Sequence, residues 1–342
     1  MSIFKRAMQI AGDSSRFRAL KIGRALHRQA PLIVVVMALA VFLSNFGTTL
    51  ATLNRQQLAL SVLGGLLLGF LIALGRELLR DTAAAFDTIE KRSGLPIIGA
   101  APELQQRDMR VLPPDMRSPL GLLIHRPASD FAQATRQLQD AVMSHRVVAF
   151  LGAAPNEGAT TAALCAAATA AMQGYRVIVV DCDLRRRSLS RLLEAANGPG
   201  VLQASRLPET WRDAVQEEPE TGLHFMPAAT LQSPWHSLMD THGFSSLVRK
   251  LSEEYDLVVL DCPPALVTQE GPLIARLASA RIAVMGWDAT PLRTLRDMQK
   301  RFPRSRGVED DGITALYVNR APGPLRYQRP RSIPPSFAYV SG

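Results

Sequence analysis

Residues 146–183 read RVVAFLGAAPNEGATTAALCAAATAAMQGYRVIVVDCD. An apolar run, Val147 to Leu151, leads into a Gly/Pro loop from Gly152 to Gly158. Two threonines open an Ala-rich stretch, Ala162 to Met172, which Gly174 stops, and a second apolar run, Val177 to Val180, ends in Asp181-Cys182-Asp183. The order predicts strand, loop, helix, turn and strand, one βαβ unit. Branched apolar runs suit buried parallel strands, and alanine suits a helix packed closely on them. A helix N-terminus behind a glycine loop offers unpaired N–H groups and a positive dipole end, so the unit is shaped to receive an anion.

A phosphate-binding P-loop closes on Gly-Lys-Ser/Thr, because lysine neutralises β/γ-phosphate charge and the hydroxyl holds magnesium. Here the run is Gly158-Ala159-Thr160-Thr161, with the glycine and hydroxyls present and alanine in the lysine's place. Taken alone, the segment also fits any αβ unit with a tight turn. The rest of the chain decides.

The 342 residues allow a domain of ordinary size and something more. Cys165, Cys182 and Cys262 lie far apart without metal-binding or disulfide spacing, as expected of a cytosolic domain. Cys182 and Cys262 each follow a strand-end aspartate, which makes them either small fillers or spatial neighbours. The net charge of +9 sits at the two ends of the chain. Lys5, Arg6, Arg16, Arg18, Lys21, Arg24 and Arg28 face only Asp13, and Arg320, Arg326, Arg329 and Arg331 face no acid. Such a distribution describes two termini, not a nucleic-acid-binding face, so no nucleic acid is expected as a partner.

Pro31 to Leu53 carries no charge, and after Asn54-Arg55 neither does Gln56 to Gly75. About 20 apolar residues span a bilayer, so two transmembrane helices are expected, over 31–53 and 58–75, joined by a turn at 54–57. A signal peptide has a shorter apolar core and no second span behind it. Basic residues precede the first span and follow the second (Arg76, Arg80), which predicts both termini in the cytoplasm. Ser61, Gly65, Gly69 and Ala73 fall on one face of the second span, either to admit a partner helix or merely as tolerated small residues. The basic segment 1–30 fits contact with anionic lipid as well as a plain topology signal.

Residues 76–128 read as a cytoplasmic linker. Leu95 to Pro102 is a short extended piece that its proline keeps out of a central strand, and Pro113, Pro114, Pro119 and Pro127 punctuate the remainder. Ser129 is a good N-cap for a helix from Asp130 to Ser144 with an apolar stripe. Apolar runs at 223–227, 255–261, 281–285 and 313–318 add strands, with Phe244–Glu254 helical between them. Five or six strands alternating with helices predict an α/β domain over 129–320, a mostly parallel sheet covered on both faces. Ligands bind at the carboxyl ends of such strands, where Asp181, Asp183, Asp261 and the 152–160 loop all fall. Arg185, Arg186 and Arg187 just past a strand end face phosphate, a partner's carboxylates or solvent. A basic, Pro-rich tail, 321–342, follows.

These motifs together resemble the bacterial tyrosine kinases and the polysaccharide co-polymerases, or chain-length determinants, to which they are fused. The cytoplasmic domain of that family is MinD/ParA-like. Gly152-x-x-Pro155-x-x-Gly158-x-Thr160 resembles its P-loop, and Val179-Val-Asp181-Cys-Asp183-Leu-Arg185 its additional Walker A′ motif. Leu260-Asp261-Cys-Pro263-Pro264 resembles Walker B, Val318-Asn319-Arg320 the strand-end asparagine near the base, and Arg76–Pro102 the stretch after the second span. The likeness covers about residues 56–320. It implies a P-loop NTPase-like fold behind a transmembrane hairpin in the bacterial inner membrane. ATP or ADP would meet Pro155, Asn156, Glu157, Gly158, Ala159, Thr160, Thr161, Arg185 and Asn319. Magnesium would meet Thr160, Asp181 and Asp261, and Asp181, Asp183 and Asp261 would be catalytic in an active enzyme. Homo-oligomers, membrane lipid and proteins of polysaccharide synthesis and export would be the partners, with Tyr327 and Tyr339 the phosphoacceptors.

The chain departs from that pattern in four places. Ala159 replaces the lysine. The family's Glu-x-x-Arg-x-x-Arg helix is Gln133-Ala-Thr-Arg136-Gln-Leu-Gln139, the tail holds two tyrosines instead of a cluster, and only a short turn separates the spans. The expected function is therefore a catalytically degraded scaffold or regulator of exopolysaccharide export. The alternatives are an active tyrosine autokinase with another charge donor, and a MinD/ParA-type positioning ATPase.

Overall fold

The computed structural model describes residues 63–65, 67, 86–104, 106–113, 116–228, 243–287, 289–302 and 312–321. The chain divides into two compact units, Met1–Asp81 and Thr82–Gly342. In the first, residues 63–65 and 67 are helical. The expected spans otherwise lie outside the described residues, among which no helix is long and apolar enough to cross a membrane. The basic N-terminal segment and the tail with Tyr327 and Tyr339 lie outside them as well.

The second unit opens with α1 (Phe86–Ser93), β1 (Ile97–Pro102), α2 (Gln106–Arg110), α3 (Pro119–His125) and α4 (Asp130–Val142). The βαβ unit follows as β2 (Val147–Gly152), α5 (Ala159–Met172) and β3 (Val177–Asp181). Next come α6 (Ser188–Leu192), α7 (Val201–Arg206), a 3₁₀ turn at Pro208–Ala214, β4 (Gln216–Glu218) and β5 (Leu223–Met226). The chain continues through α8 (Gly243–Glu254), β6 (Leu257–Asp261), α9 (Glu270–Ala275), β7 (Ala280–Gly286), α10 (Leu292–Lys300) and β8 (Ala315–Ala321).

The strands form one eight-stranded sheet in the order β1-β8-β7-β2-β6-β3-β5-β4. Only the β4–β5 pair is antiparallel. Successive side chains of a strand point to opposite faces, and here both faces are covered. Val148, Phe150, Val179 and Val259 pack with Leu138 of α4 and the alanines of α5. Ala149, Leu151, Val180 and Leu260 pack with Phe244, Leu247 and Leu251 of α8 and Leu295 of α10. Ala162, Ala163 and Ala166–Ala168 of α5 are buried, so the small side chain lets this helix pack closely on both the sheet and α4.

Within the stretch expected to be a linker, residues 86–104, 106–113 and 116–128 belong instead to the folded domain. β1 pairs in parallel with β8 at one edge of the sheet. Ile97, Ile98, Leu112, Leu120, Leu122 and Leu123 are buried. Two of the prolines in this stretch mark element ends. Pro102 closes an edge strand, where a missing N–H costs no ladder bond, and Pro119 opens α3 behind the Ser118 cap. Glu90 of α1 accepts the Ile97 N–H at 2.8 Å, joining the entry helix to the strand. The sheet therefore has eight strands where five or six were expected, β1 and the three-residue β4 among the additions. Ser129 caps α4 as expected, accepting the Ala132 N–H at 3.2 Å.

Candidate phosphate-binding site

β2 ends at Gly152, and the residues to Gly158 carry the chain from the sheet's carboxyl edge into α5. Asn156 (φ 66°) and Gly158 (φ 96°) both adopt the left-handed region, which glycine enters freely and asparagine more readily than most residues. Gly158 is also a point of close approach, since a Cβ there would overlap the side-chain amide of Asn319. Its lack of a side-chain cap leaves the first N–H groups of α5 without a partner from within the helix.

Glu157 holds the loop in shape. Its Oε2 accepts the N–H groups of Ala153 at 2.6 Å and Ala154 at 3.1 Å, and its Oε1 accepts the Thr290 hydroxyl at 2.6 Å. Asn319 donates to the Glu157 carbonyl at 3.0 Å. The loop is thus tied to the turn after β7 and to the end of β8. Burial raises the Glu157 carboxyl above its ordinary range, and the bonds from Thr290 and the two amides oppose that rise. Glu157→Ala orphans those donors and should cost about 1–3 kcal/mol in urea unfolding. Glu157→Gln, which keeps an acceptor, should cost less; equal costs would show that the bonds do not hold the loop.

Asp181 and Asp261 end neighbouring strands directly opposite each other. Asp181 accepts the Ser190 N–H at 2.9 Å and hydroxyl at 2.7 Å on one oxygen, and the Asp183 N–H at 3.2 Å on the other. Asp261 is 1% exposed, and neither of its oxygens has a hydrogen-bond partner. Burial, then the facing Asp181 charge, pushes the Asp261 carboxyl well above the usual range; the Thr160 hydroxyl and Arg186 pull the other way. Asp181 is raised too, again chiefly by burial. Two carboxylates in one buried site need a proton or a cation between them. With the Thr160 hydroxyl they form an all-oxygen donor set of the kind magnesium prefers, and the orphaned Asp261 is the group such an ion would satisfy. The magnesium ion fits these residues.

A cavity of about 550 Å³ lies over the loop. Pro155, Asn156, Glu157, Gly158, Ala159, Thr160, Thr161 and Asp183 line it. Arg186, Arg191 and Arg320 line it as well. Arg185 does not; with Arg187 and Glu194 it borders an adjoining hollow, which Arg186 and Arg191 also line. Asn319 stands behind Gly158 and positions the loop. Cys182 is buried, and Cys262 beside it adds to the rise of its thiol, so the two strand-end cysteines are neighbours as well as fillers. Thr290 carries no motif, Arg320 enters the motif reading only beside Asn319, and only the folded chain brings either to the loop. On α4, Gln139 is buried and meets the Gln173 amide at 3.2 Å, so this position of the family's charged helix faces inward.

The family model of the ATPase MipZ matches residues 147–281. The tyrosine-protein kinase ptk of Acinetobacter johnsonii is 23% identical over 279 residues, covering 80% of this chain and 38% of the kinase. The succinoglycan biosynthesis transport protein ExoP of Rhizobium meliloti is 25% identical over 191 residues, covering 53% of this chain and 24% of ExoP. Both relatives are thus far longer than the part this chain matches. The solved BceF tyrosine kinase domain aligns with a TM-score of 0.57 and 26% identity, covering 68% of this chain and 96% of that domain. The chain's relatives are bacterial tyrosine kinases and exopolysaccharide transport proteins, the group that its P-loop, strand-end aspartates and Asn319 resemble.

Proposed function

We propose that the chain is an inner-membrane component of exopolysaccharide synthesis and export whose kinase-like domain binds magnesium and a nucleotide but has lost phosphoryl transfer. The observation that carries this reading is Ala159. It opens α5 with a methyl group at a site where the loop, Thr160 and the paired Asp181 and Asp261 are all in place. Loss of a preorganised charge facing a developing phosphate charge typically lowers turnover by about 10²–10³-fold. Nucleotide state would then set the shape of a scaffold. Residues 31–53 and 58–75 would anchor it as a transmembrane hairpin with both termini cytoplasmic, and the basic segment 1–30 would lie against anionic lipid. Other copies of the chain and the polysaccharide export proteins would be its partners.

Full chain in detergent, given magnesium and γ-labelled ATP, should put no label on Tyr327 or Tyr339. It should also hydrolyse ATP no faster than Asp261→Ala. The second reading, an active autokinase, draws on the arginines that reach the cavity. Label on either tyrosine that disappears in Asp181→Ala would establish that reading in place of the first.

A further inference from the structure

We propose that Arg186 and Arg320 together hold the phosphate tail of a nucleoside di- or triphosphate, in place of the missing P-loop lysine. The inference rests on the nucleotide-binding half of the function proposed above. The two arginines come from opposite sides of the loop. Arg186 lies in the turn between β3 and α6, and its Nη2 donates to Asn156 Oδ1 at 2.9 Å. Arg320 lies near the end of β8 in the left-handed region (φ 58°), and its Nη2 donates to the Asn156 carbonyl at 2.6 Å. One loop residue therefore gathers two guanidinium groups at the cavity that also exposes the start of α5.

Their electrostatic reach agrees with this placement. Arg186 is close enough to lower the raised Asp261 carboxyl, and Arg320 acts likewise on Glu157. Neither forms a salt bridge with a carboxylate among the described residues, and each spends only one donor on Asn156. A guanidinium has five N–H donors in a planar fork that matches phosphate oxygens, so most of each fork remains available. The buried, unpartnered Asp261 is an independent sign that the same site is incomplete without a ligand and its cation. The charges stand at the loop's tip, whereas a lysine at position 159 would rise from the helix start. That arrangement favours holding an anion over stabilising its transfer.

Calorimetry on the full chain tests the inference, with ATP, ADP and inorganic pyrophosphate, each with magnesium. Wild type should bind ATP and ADP, and pyrophosphate should compete with both, since the phosphates carry the recognition. Arg186→Ala and Arg320→Ala should each weaken binding about 10-fold and the double variant about 100-fold, with a shallower dependence on salt. Arg249→Ala, on the exposed face of α8, should leave it unchanged. Thermal melts overlaying that of wild type would exclude misfolding as the cause. Wild-type affinity in the double variant, or no binding of any of the three ligands by wild type, overturns the inference. Neither result resembles the Asp261-dependent hydrolysis that would defeat the claim of lost phosphoryl transfer.

Discussion

Ala159→Lys should raise ATP hydrolysis by the full chain about 10²–10³-fold, the range seen when one preorganised donor at a transition state is removed or restored. The gain needs everything around the lysine to be built already. Gly158 holds its left-handed turn against Asn319, Thr160 stands behind it, and Asp181 and Asp261 lie across the strand ends. Position 159 borders a cavity of about 550 Å³, so a long side chain has room. The same change should improve ATP affinity far less than it improves turnover. Arg186 and Arg320 already neutralise part of the phosphate charge, and only the lysine adds a contact that strengthens as charge develops. Single-turnover hydrolysis beside equilibrium binding separates the two effects. Equal gains in both would mean that the arginines hold no phosphate. No gain in turnover would mean that the site has decayed beyond Ala159.

Much of this site is legible in the sequence because its parts are local. The P-loop is nine consecutive residues, and each catalytic-type aspartate ends an apolar run, so period and punctuation locate them without tertiary knowledge. The α5 helix reads from its alanines for the same reason. The domain boundary fails for a physical reason too. β1 is short, its partner β8 is more than 200 residues away, and its prolines are compatible with an edge strand as well as a linker. β4 is a three-residue hairpin partner with no apolar alternation to reveal it. Thr290 and Arg320 act on the loop from 133 and 164 residues away, and a separation of that size leaves no trace in local pattern. Arg185 shows the converse. The motif points to it, yet in the fold it is the next residue, Arg186, that turns toward the loop.

Asp261→Asn should make the metal-free domain more stable while removing the magnesium-dependent part of ATP affinity, about 10–100-fold by analogy with groups that orient metal ligands through water. Asp261 is buried without a hydrogen-bond partner, opposite another carboxylate, and its proton is held well above the usual range. In the unfolded chain the same carboxyl ionises near pH 3.9, roughly the model-peptide value. Between those two values the folded state binds more protons than the unfolded one, so its stability falls as pH rises. Below the unfolded value the contribution is fully present; through the folded value it is lost. Asparagine does not titrate. The stability of Asp261→Asn relative to wild type should therefore increase with pH, by about 1.4 kcal/mol for each unit of the rise traversed. In a domain of this size that is roughly 2–4 °C of melting temperature per kcal/mol. His145 works in the opposite sense: burial lowers it, so its contribution is lost as pH falls through the ordinary imidazole range. It is present in both proteins and cancels in the difference. Melts in EDTA from pH 5 to 8 measure the gap, and magnesium with ATP should close it by stabilising wild type alone. A gap that stays flat with pH would mean that Asp261 does not carry the strain. A gap that grows and then closes on adding magnesium would show a site that tolerates instability in order to keep a place for the ion.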